Sequence, residues 1–464
     1  MIEVWAHPVL SAVAALAPDA HLVGGCVRDL LLECGAHADW DFVVPRGAMA
    51  LAREVADRCG GSLVPLDAER GISRAVVGGE GFDFADYQGG SLEDDLRARD
   101  FTVNAMALGR DGALVDPTGG RADLGRRLLR CPSPAVLDAD PLRVLRAFRF
   151  AAVLDFRLSE ETLDALPARA PRLSAVSGER VRDEWFKLLE TDRIPLLLDA
   201  LRDSGVLAAV FPEVEALRGL EQRGFHHLDA YHHSLLALRK VDEQAYDEAI
   251  SVTDFSDALE GHLGRMLPGG VTRRAMLRLC ALLHDVGKRV TQSVDADTGR
   301  ISYRGHDKAG TPLADAVGER LRLSRLAIRL LHKSVRWHLR PLDLPEVGRL
   351  KARHVRHYFR DAGDAGVETL VLSLADSAAS GGPSNTPQVR EALRRRVGWM
   401  LDWYFGDGRR QCVPLVRGDE AAALLGVPPG PRVGKLLERL LDAQVDGRVR
   451  DREEAERYLK RIIP

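Results

Sequence analysis

The sequence lacks the features that would place it in a membrane, in an oxidising compartment or among zinc-ribbon proteins. Six cysteines are scattered over 464 residues, and no two of them form a C-x-x-C pair. That distribution argues against a disulfide framework or a zinc ribbon and suits a reducing cytosol. No stretch of about 18 apolar residues is present, and the N-terminal segment has no basic leader. We therefore expect a soluble cytoplasmic protein with no membrane partner.

The chain also lacks a charge of one sign. Its 65 basic and 68 acidic side chains leave a net charge of −3 at pH 7. Total charge therefore does not indicate a nucleic-acid partner, although a local basic face could still bind one. The length predicts three or four folded units, and no internal repeat or low-complexity tract is visible.

Hydrophobic periodicity divides the chain into two parts. Up to about residue 110, short apolar segments alternate with glycine turns and helical segments, which is typical of a mixed α/β sheet. From about residue 140 onward, apolar residues recur with a helical period. We expect an α+β protein with a small mixed-sheet head followed by a long helical body.

Two carboxylates flank a tryptophan in the predicted strand DWDFVV, residues 39–44. Residues i and i+2 of a strand share one face, roughly 6.5–7 Å apart, so Asp39 and Asp41 can converge while Trp40 turns inward. A divalent cation such as Mg²⁺ relieves the repulsion, and a two-metal pair can activate a hydroxyl and stabilise leaving pyrophosphate. Asp83, on a later predicted strand, is a candidate third catalytic ligand. Alone, D-x-D could equally cap a turn.

A glycine pair precedes this strand in GGCVRD, residues 24–29. Gly24 and Gly25 would let backbone amides approach a phosphate ahead of a helix N-terminus, and Arg28 follows within that helix. A lone glycine pair is only a bend. Its ordered combination with D-x-D within about 20 residues favours phosphoryl transfer.

The segment VGGCVRDLLLECGAHADWDFVV resembles the signature of the class II tRNA nucleotidyltransferase and poly(A) polymerase family, in the DNA polymerase β-like superfamily. Residues 94–108, 116–130, 139–152 and 177–189 are similar to further motifs of that family, in its order. The resemblance implies a nucleotidyltransferase head at 1–115, with Mg²⁺ on Asp39 and Asp41, and a helical neck at 116–220 that recognises the base. It implies tRNA, CTP and ATP as partners.

The same resemblance assigns a set of nucleotide-binding residues. They are Gly24, Gly25, Arg28, Arg99, Asp100, Asn104, Asp140, Arg143, Arg146 and Arg149. Within this set, Asp140 and Arg143 would face the incoming base. A carboxylate accepts from an exocyclic amino group and a guanidinium donates to ring acceptors, a pattern that cytosine and adenine both match. Without the preceding motifs, RVLRAFR would be interpreted as a solvated basic stripe.

Two positions depart from the family pattern. Ala139 precedes Asp140 where the family usually has glutamate, so a neighbouring support is lost. Only QGG separates FDFADY from SLEDDL, whereas many CCA-adding relatives carry a longer flexible loop there, associated with the switch from C to A addition. The short segment resembles the CC-adding branch, which makes CC-only addition a hypothesis beside CCA addition.

A second constellation centres on His284 and Asp285 in LRLCALLHDVGK, where an adjacent imidazole and carboxylate can flank one metal. A single buried histidine is more often a core residue. The order H…HD…H…H…D, however, resembles the all-helical HD phosphohydrolase superfamily and places an HD body at 221–400. That resemblance implies a divalent transition metal or Mg²⁺, whose coordinated water is the nucleophile. The implied ligands are His233, His284, Asp285 and Asp376, with His306 and His338 on a second metal or the substrate phosphate and Lys288 assisting there.

The tail, residues 401–464, resembles the segment that accompanies such a body. Gly430, Arg432, Gly434 and Lys435 could hold an RNA backbone, which positions RNA without reading its sequence. A simple helix–turn–helix packing unit is the alternative. For the whole chain, the alternatives to tRNA CCA or CC addition are a poly(A) polymerase and an RNA-repair phosphatase or phosphodiesterase whose HD body carries the main activity. A non-catalytic RNA-binding module is a third.

Overall fold

The computed structural model describes residues 2–34, 39–67, 71–406, 408 and 412–463. These residues belong to two compact units, one made of residues 1–176 with 199–209, the other of residues 177–198 with 210–464. Among the described helices, none is both long and apolar enough to cross a lipid bilayer.

The first unit contains a seven-stranded sheet in the order β3-β4-β5-β2-β1-β6-β7. Its strands are β1 (His21–Val23), β2 (Asp39–Val44), β3 (Ser62–Asp67), β4 (Ile72–Val77), β5 (Glu80–Asp86), β6 (Ala107–Leu108) and β7 (Leu114–Val115). The β2–β5 pair is parallel and the other neighbouring pairs are antiparallel. The predicted mixed sheet is therefore confirmed.

Side-chain alternation in β2 and β5 separates an aromatic face of the sheet from an acidic one. Trp40, Phe42, Phe82 and Phe84 are buried, and the rings of Phe42 and Phe84 stack with their centroids 5.0 Å apart. Trp5, near the N-terminus, packs edge-on against Phe42 at 6.1 Å. Because side chains alternate along a strand, Asp39, Asp41 and Asp83 lie on the opposite face.

The helices account for most of the remaining chain. In the first unit they span Pro8–Leu16, Gly25–Leu31, Ala48–Cys59, Leu92–Arg97, Gly120–Gly125, Ala135–Ala139, Leu142–Leu154 and Glu160–Ala165. Two further helices, Ile194–Asp203 and Val206–Val210, have residues in both units. In the second unit they span Gly178–Leu189, Pro212–Glu215, Ala230–Lys240, Tyr246–Ser251, Ser256–Leu263, Arg273–Leu283, Lys288–Thr291, His306–Arg320, Arg325–Trp337, Arg340–Asp343, Ala352–Ala362, Gly366–Ala379, Pro387–Phe405, Gly418–Leu425, Pro431–Val445 and Arg452–Ile462. Shorter 3₁₀ segments lie at Ile2–Ala6, Thr102–Asn104, Ala170–Ala175 and Gly363–Ala365, with a π turn at Val241–Ala245.

The α+β class predicted from periodicity is confirmed. The helical part also contains three pairs of two-residue strands that the prediction of an all-helical neck and body did not include. They are Leu128–Leu129 with Arg157–Leu158, Met266–Leu267 with Val271–Thr272, and Ser293–Val294 with Ile301–Ser302. Two residues are too few to display a period-2 pattern in a sequence.

The boundaries of the four predicted segments, 1–115, 116–220, 221–400 and 401–464, stay a prediction.

The last three helices share a small core of their own, which includes Val433, Leu436 and Leu440. The tail is also tied to the helix Ala352–Ala362 by ion pairs. Arg356, which is buried, donates to Glu438 Oε2 at 2.8 Å and to Asp442 Oδ1 at 2.6 Å.

Candidate active site

The acidic face of the sheet carries a row of charged side chains on three adjacent strands. Asp41 of β2 is paired with Asp83 of β5, and Asp83 is paired on its other side with Arg74 of β4. Directly opposite residues of neighbouring strands present their side chains on the same face. Asp39, two residues before Asp41, lies on that face too. The structure therefore brings the three predicted catalytic carboxylates together.

These carboxylates repel one another. Burial and the negative charge of Asp83 raise the pKa of Asp41 to about 6, with a smaller contribution from Asp39, although the Arg99 guanidinium partly offsets them. The carboxylate oxygens of Asp39, Asp41 and Asp83 are a donor set suited to a hard divalent cation, which removes their repulsion by binding them. The residues present therefore fit the Mg²⁺ site expected from the sequence.

Arg74 belongs to this charged row, and the sequence interpretation did not identify it. Its Nε donates to Asp83 Oδ1 at 2.6 Å and its Nη2 to Asp83 Oδ2 at 2.8 Å. The same Nη2 lies 3.6 Å from Asp39 Oδ1. The sequence carries a signal for this placement, because a Gly-Gly pair between two strand-like segments favours a two-residue hairpin. In the structure, Gly78 and Gly79 both have a positive φ. That turn fixes the register and so places Arg74 opposite Asp83.

Gly24 keeps the space beside the carboxylates open. It has a φ of 74°, and a Cβ there would lie 3.2 Å from Arg99 Nη1 and 3.4 Å from Asp41 Oδ2. Gly25 then begins the helix Gly25–Leu31, which carries Arg28 and Asp29.

Several predicted nucleotide-binding residues form one buried hydrogen-bond chain. Arg28 Nη1 donates to Asn104 Oδ1 at 2.7 Å, and Asn104 Nδ2 donates to Asp100 Oδ1 at 3.1 Å. Asp100 Oδ2 accepts from Arg146 Nη2 at 2.6 Å. Burial disfavours the charged carboxylate, but the Arg146 guanidinium outweighs it and holds the pKa of Asp100 below its usual value. The chain joins the helices Gly25–Leu31 and Leu142–Leu154 through the segment Thr102–Asn104.

A cavity of about 230 Å³ lies beside this chain. Its lining consists of Gln88, Asp95, Ala98, Arg99, Asp100, Arg143 and Arg146. Arg143 is held in place because its Nη1 donates to Ala98 O at 2.8 Å and to Val136 O at 3.1 Å. Burial lowers the pKa of Arg143 below its ordinary value. Four of the residues implied by the family resemblance therefore meet around one cavity.

Asp140 and Arg149 are among the predicted nucleotide-binding residues that do not line this cavity in the part of the chain that the structure describes. Asp140 Oδ1 accepts from the backbone N–H of Leu142 at 3.1 Å, at the start of the helix Leu142–Leu154. The guanidinium of Arg149 lies 3.7 Å from the ring centroid of Phe150. The base contact of Asp140 and the nucleotide contact of Arg149, both implied by the family resemblance, stay predictions.

The short connection between β5 and the helix Leu92–Arg97 borders the same cavity. Tyr87 N donates to Val44 O at 2.9 Å, and Gln88 N donates to Asp95 Oδ1 at 2.9 Å. Gly89 has a φ of 101°, and a Cβ there would lie only 2.7 Å from Asp94 Cβ. Residues 87–91 are therefore held closely by hydrogen bonds and packing.

The second unit brings together all six predicted metal-ligating residues, each of them buried. Ligand atoms of His233, His284 and Asp376 lie within 4.8 Å of one another, as do those of Asp285, His306 and His338. Five helices supply these groups, either from within the helix or from the two residues that follow it. They are Ala230–Lys240, Arg273–Leu283, His306–Arg320, Arg325–Trp337 and Gly366–Ala379.

Asp285 lies between the two groups. Its Oδ2 is 3.1 Å from His284 Nε2 and 3.6 Å from His233 Nε2. Its Oδ1 is 3.2 Å from His306 Nε2 and 3.8 Å from His338 Nε2. Each carboxylate oxygen thus faces one histidine pair, so Asp285 and the histidines would together be able to hold divalent metal.

Backbone carbonyls orient three of the imidazoles. The Nδ1 atoms of His284, His306 and His338 each lie 2.8 Å from the carbonyl oxygen three residues earlier in the chain. A carbonyl can only accept, so Nδ1 carries the proton and Nε2 keeps its lone pair for a metal. Burial, with the neighbouring His284, lowers the pKa of His338 to about 3 and keeps that ring neutral.

The glycine of HDVGK explains how His306 reaches this centre. A Cβ at Gly287 would lie 2.1 Å from His306 O and 2.5 Å from Gly310 N. Only a residue without a side chain lets the helix His306–Arg320 approach so closely. Lys288 follows, and its Nζ contacts Asp285 Oδ2 and Gln222 Oε1, each at 2.5 Å.

A cavity of about 280 Å³ opens onto the second centre. Asp285, Asp376, His306 and Lys288 line it. Its lining also includes Gln222, Arg223, His226, Tyr303 and Arg304, which the sequence interpretation did not identify. In the tail, Gly430, Arg432, Gly434 and Lys435 are exposed around the start of the helix Pro431–Val445. Their RNA contact stays a prediction.

Three family models match the chain. The poly(A) polymerase head domain matches residues 85–130, the probable RNA- and SrmB-binding site of polymerase A matches residues 155–217, and the HD domain matches residues 230–380. A solved structure of a CCA-adding enzyme in an apo form shares the fold, with a TM-score of 0.66 at 21% identity over 96% of this chain and 92% of that one.

Two curated relatives span nearly the whole chain. The A-adding tRNA nucleotidyltransferase of Deinococcus radiodurans is 37% identical over 96% of this chain and 95% of that protein. The CC-adding tRNA nucleotidyltransferase of Geobacter sulfurreducens is 37% identical over 97% of this chain and 95% of that protein. The family resemblance predicted from the motifs is confirmed, and the chain belongs to the tRNA nucleotidyltransferase family of enzymes.

Proposed function

We propose that this enzyme adds cytidine to the 3′ end of tRNA and completes the CC part of the terminal CCA sequence. The observation that carries this proposal is the row of Asp39, Asp41 and Asp83 on one face of the sheet, next to a cavity lined by arginines. In this proposal residues 1–115 carry the chemistry and 116–220 recognise the base. Residues 221–400 form a hydrolase, and 401–464 contact the tRNA backbone.

In the proposed reaction, the tRNA 3′-hydroxyl attacks the α-phosphate of CTP and pyrophosphate leaves. Asp39 and Asp41 would hold Mg²⁺, which when bound supplies positive charge to the attacking and leaving oxygens. Arg99 lines the cavity close to Asp41 and provides a cation for the triphosphate. Arg146, fixed by Asp100, adds a second cation at the cavity wall.

Arg143 is the residue proposed to select the base. Its Nη1 is engaged by two backbone carbonyls, so the guanidinium is held in one orientation. The other N–H groups can donate to the ring acceptors of cytosine, which lie on its Watson–Crick edge. A donor that is already oriented loses little conformational entropy on binding, and this favours a base whose acceptors match its direction.

The fixed connection at 87–91 favours CC addition over CCA addition. Gln88 lines the cavity and is anchored on Asp95, so this segment has little freedom to reshape the pocket for adenine. The Geobacter relative is a CC-adding enzyme. The Deinococcus relative adds A, so A addition is the second candidate.

The test is a gel of nucleotide addition to tRNA that ends at its discriminator base. CTP and ATP are supplied separately and together, and a second substrate ending in CC is given ATP alone. We expect two cytidines and no further extension. Addition of a third nucleotide would reject CC-only addition, extension only of the CC-ended substrate would assign A addition, and a long tail would indicate a poly(A) polymerase.

We further propose that the HD body is a metal-dependent phosphohydrolase acting on RNA ends, with Mg²⁺ or a divalent transition metal. The position of Asp285 between two histidine pairs supports this proposal. Each metal preparation is tested on RNA ending in a 2′-phosphate or a 2′,3′-cyclic phosphate. We expect hydrolysis that Asp285→Asn abolishes while CTP addition continues. Hydrolysis that survives Asp285→Asn would reject the assignment.

A further inference from the structure

The Arg74 guanidinium binds carboxylate oxygens that a metal ion could also take as ligands. Its two N–H groups bind both oxygens of Asp83, at 2.6 and 2.8 Å, in the bidentate geometry that suits a guanidinium and a carboxylate. The same guanidinium reaches toward Asp39, whose Oδ1 is 3.6 Å from Nη2. A cation that takes an oxygen of Asp83 must therefore share that oxygen with the Arg74 guanidinium or displace it.

Gly81 leaves the space that the Arg74 guanidinium needs to approach Asp39. Gly81 is paired with Asp39 in the ladder between β2 and β5. A Cβ at Gly81 would lie 2.7 Å from Asp39 Oδ1 and 3.4 Å from Arg74 Cζ. The glycine thus leaves the space in which the guanidinium and the Asp39 carboxylate meet.

Electrostatics give the contact a consequence for metal binding. Three carboxylates on one face attract a divalent cation strongly, and a guanidinium within their shell both competes for their oxygens and repels that cation. A nucleoside triphosphate contributes phosphate oxygens and negative charge of its own. Binding of metal together with the triphosphate would therefore be penalised less than binding of metal alone.

We propose that Arg74 is a positioning residue that competes with divalent metal for Asp83 and Asp39, so that the head takes up metal together with its triphosphate. This inference rests on the proposed metal role of the head. In the nucleotide-free enzyme Arg74 neutralises the acidic row, and it yields part of that contact when metal and triphosphate arrive.

The test measures Mn²⁺ affinity by titration of the full-length chain, with the electron paramagnetic resonance signal of free Mn²⁺ as the readout. The HD body also offers ligands, so each variant is paired with a version carrying Asp41→Asn, and the difference reports the head. Arg74→Gln removes the guanidinium. Arg58→Gln is the matched control, because it removes the same charge from an exposed position on the helix Ala48–Cys59.

Without nucleotide, we expect Arg74→Gln to raise the Mn²⁺ affinity of the head roughly tenfold, and Arg58→Gln to change it less than about twofold. With CTP present the difference for Arg74→Gln should shrink. Arg74→Lys keeps the charge but not the bidentate pair and should give an intermediate affinity. Thermal melts of all variants report folding.

Unchanged or weaker Mn²⁺ binding by folded Arg74→Gln, without nucleotide, would overturn the competition. An increase in the Mn²⁺ affinity of Arg74→Gln that is equally large with and without CTP would also overturn the competition. A wild-type head that binds no Mn²⁺ with or without CTP would instead overturn the proposed function, and with it this inference.

Discussion

The buried carboxylate of Asp100 gives a sharp prediction about the head. Asp100 Oδ2 accepts from Arg146 Nε at 3.0 Å and from Nη2 at 2.6 Å, and Oδ1 accepts from Asn104 and from Phe101 N. Asp100→Asn keeps the shape of the side chain but removes its negative charge. The new amide N–H group would also face an N–H donor where an oxygen now accepts. We expect the variant to lose about 3 kcal/mol of local stability at pH 7.

The pH dependence has a defined sign. The folded pKa of Asp100 is lowered, because the Arg146 guanidinium outweighs the effect of burial. Its stabilisation is therefore complete above the unfolded-state pKa of about 4 and is lost as the pH falls through the lower folded value. The gap between wild type and Asp100→Asn should be full at pH 7 and should narrow in acid, below about pH 4.

Native-state hydrogen exchange of peptides from the helix Leu142–Leu154 measures this loss. Asp138→Asn is the control, since that carboxylate also bonds two arginines, Arg169 and Arg172, but does so at the surface, with its side chain 47% exposed. Its effect should be much smaller. A loss below about 1 kcal/mol for Asp100→Asn, or one that is equal at pH 7 and pH 3, would refute the charged, buried pair.

Three further predictions concern the second unit. Gly287→Ala places a Cβ 2.1 Å from His306 O and should abolish phosphohydrolase activity while CTP addition continues, whereas Gly348→Ala, with open space around it, should leave both rates unchanged. Arg356→Ala removes the hydrogen bonds to Glu438 and Asp442. Hydrogen exchange in the helix Pro431–Val445 should therefore become faster, by the equivalent of about 2–3 kcal/mol of local stability. Exchange as slow as in the wild type would contradict a docked tail. Lys435→Ala should weaken tRNA binding and reduce by about 1 the magnitude of the slope of log K against log salt concentration. Filter binding at several salt concentrations measures this slope, and an unchanged slope would contradict a contact between Lys435 and tRNA phosphate.

The head shows which structural facts local sequence patterns carry. The strand DWDFVV predicts that Asp39 and Asp41 share a face, because alternation along a strand depends only on neighbouring residues. The position of Arg74 opposite Asp83 follows equally from the glycine turn, but the sequence interpretation did not include Arg74. Register across a hairpin is local information too.

Other contacts could not be predicted from local patterns. The hydrogen-bond chain from Arg28 through Asn104 to Asp100 joins segments far apart in the sequence, and no periodicity links them. In the second unit, motif order predicts the ligands, but the division of Asp285 between two histidine pairs depends on how five helices pack. Such packing follows from tertiary contacts, which override local preference.

The central claim is that the acidic row of the head drives nucleotide addition. The most direct measurement is the single-turnover rate of CTP addition to tRNA by Asp41→Asn, with Asp138→Asn as the control. We expect a decrease of at least about a thousandfold for Asp41→Asn, with phosphohydrolase activity unchanged, and a normal rate for the control. A folded Asp41→Asn variant that adds CTP at close to the wild-type rate would contradict the account.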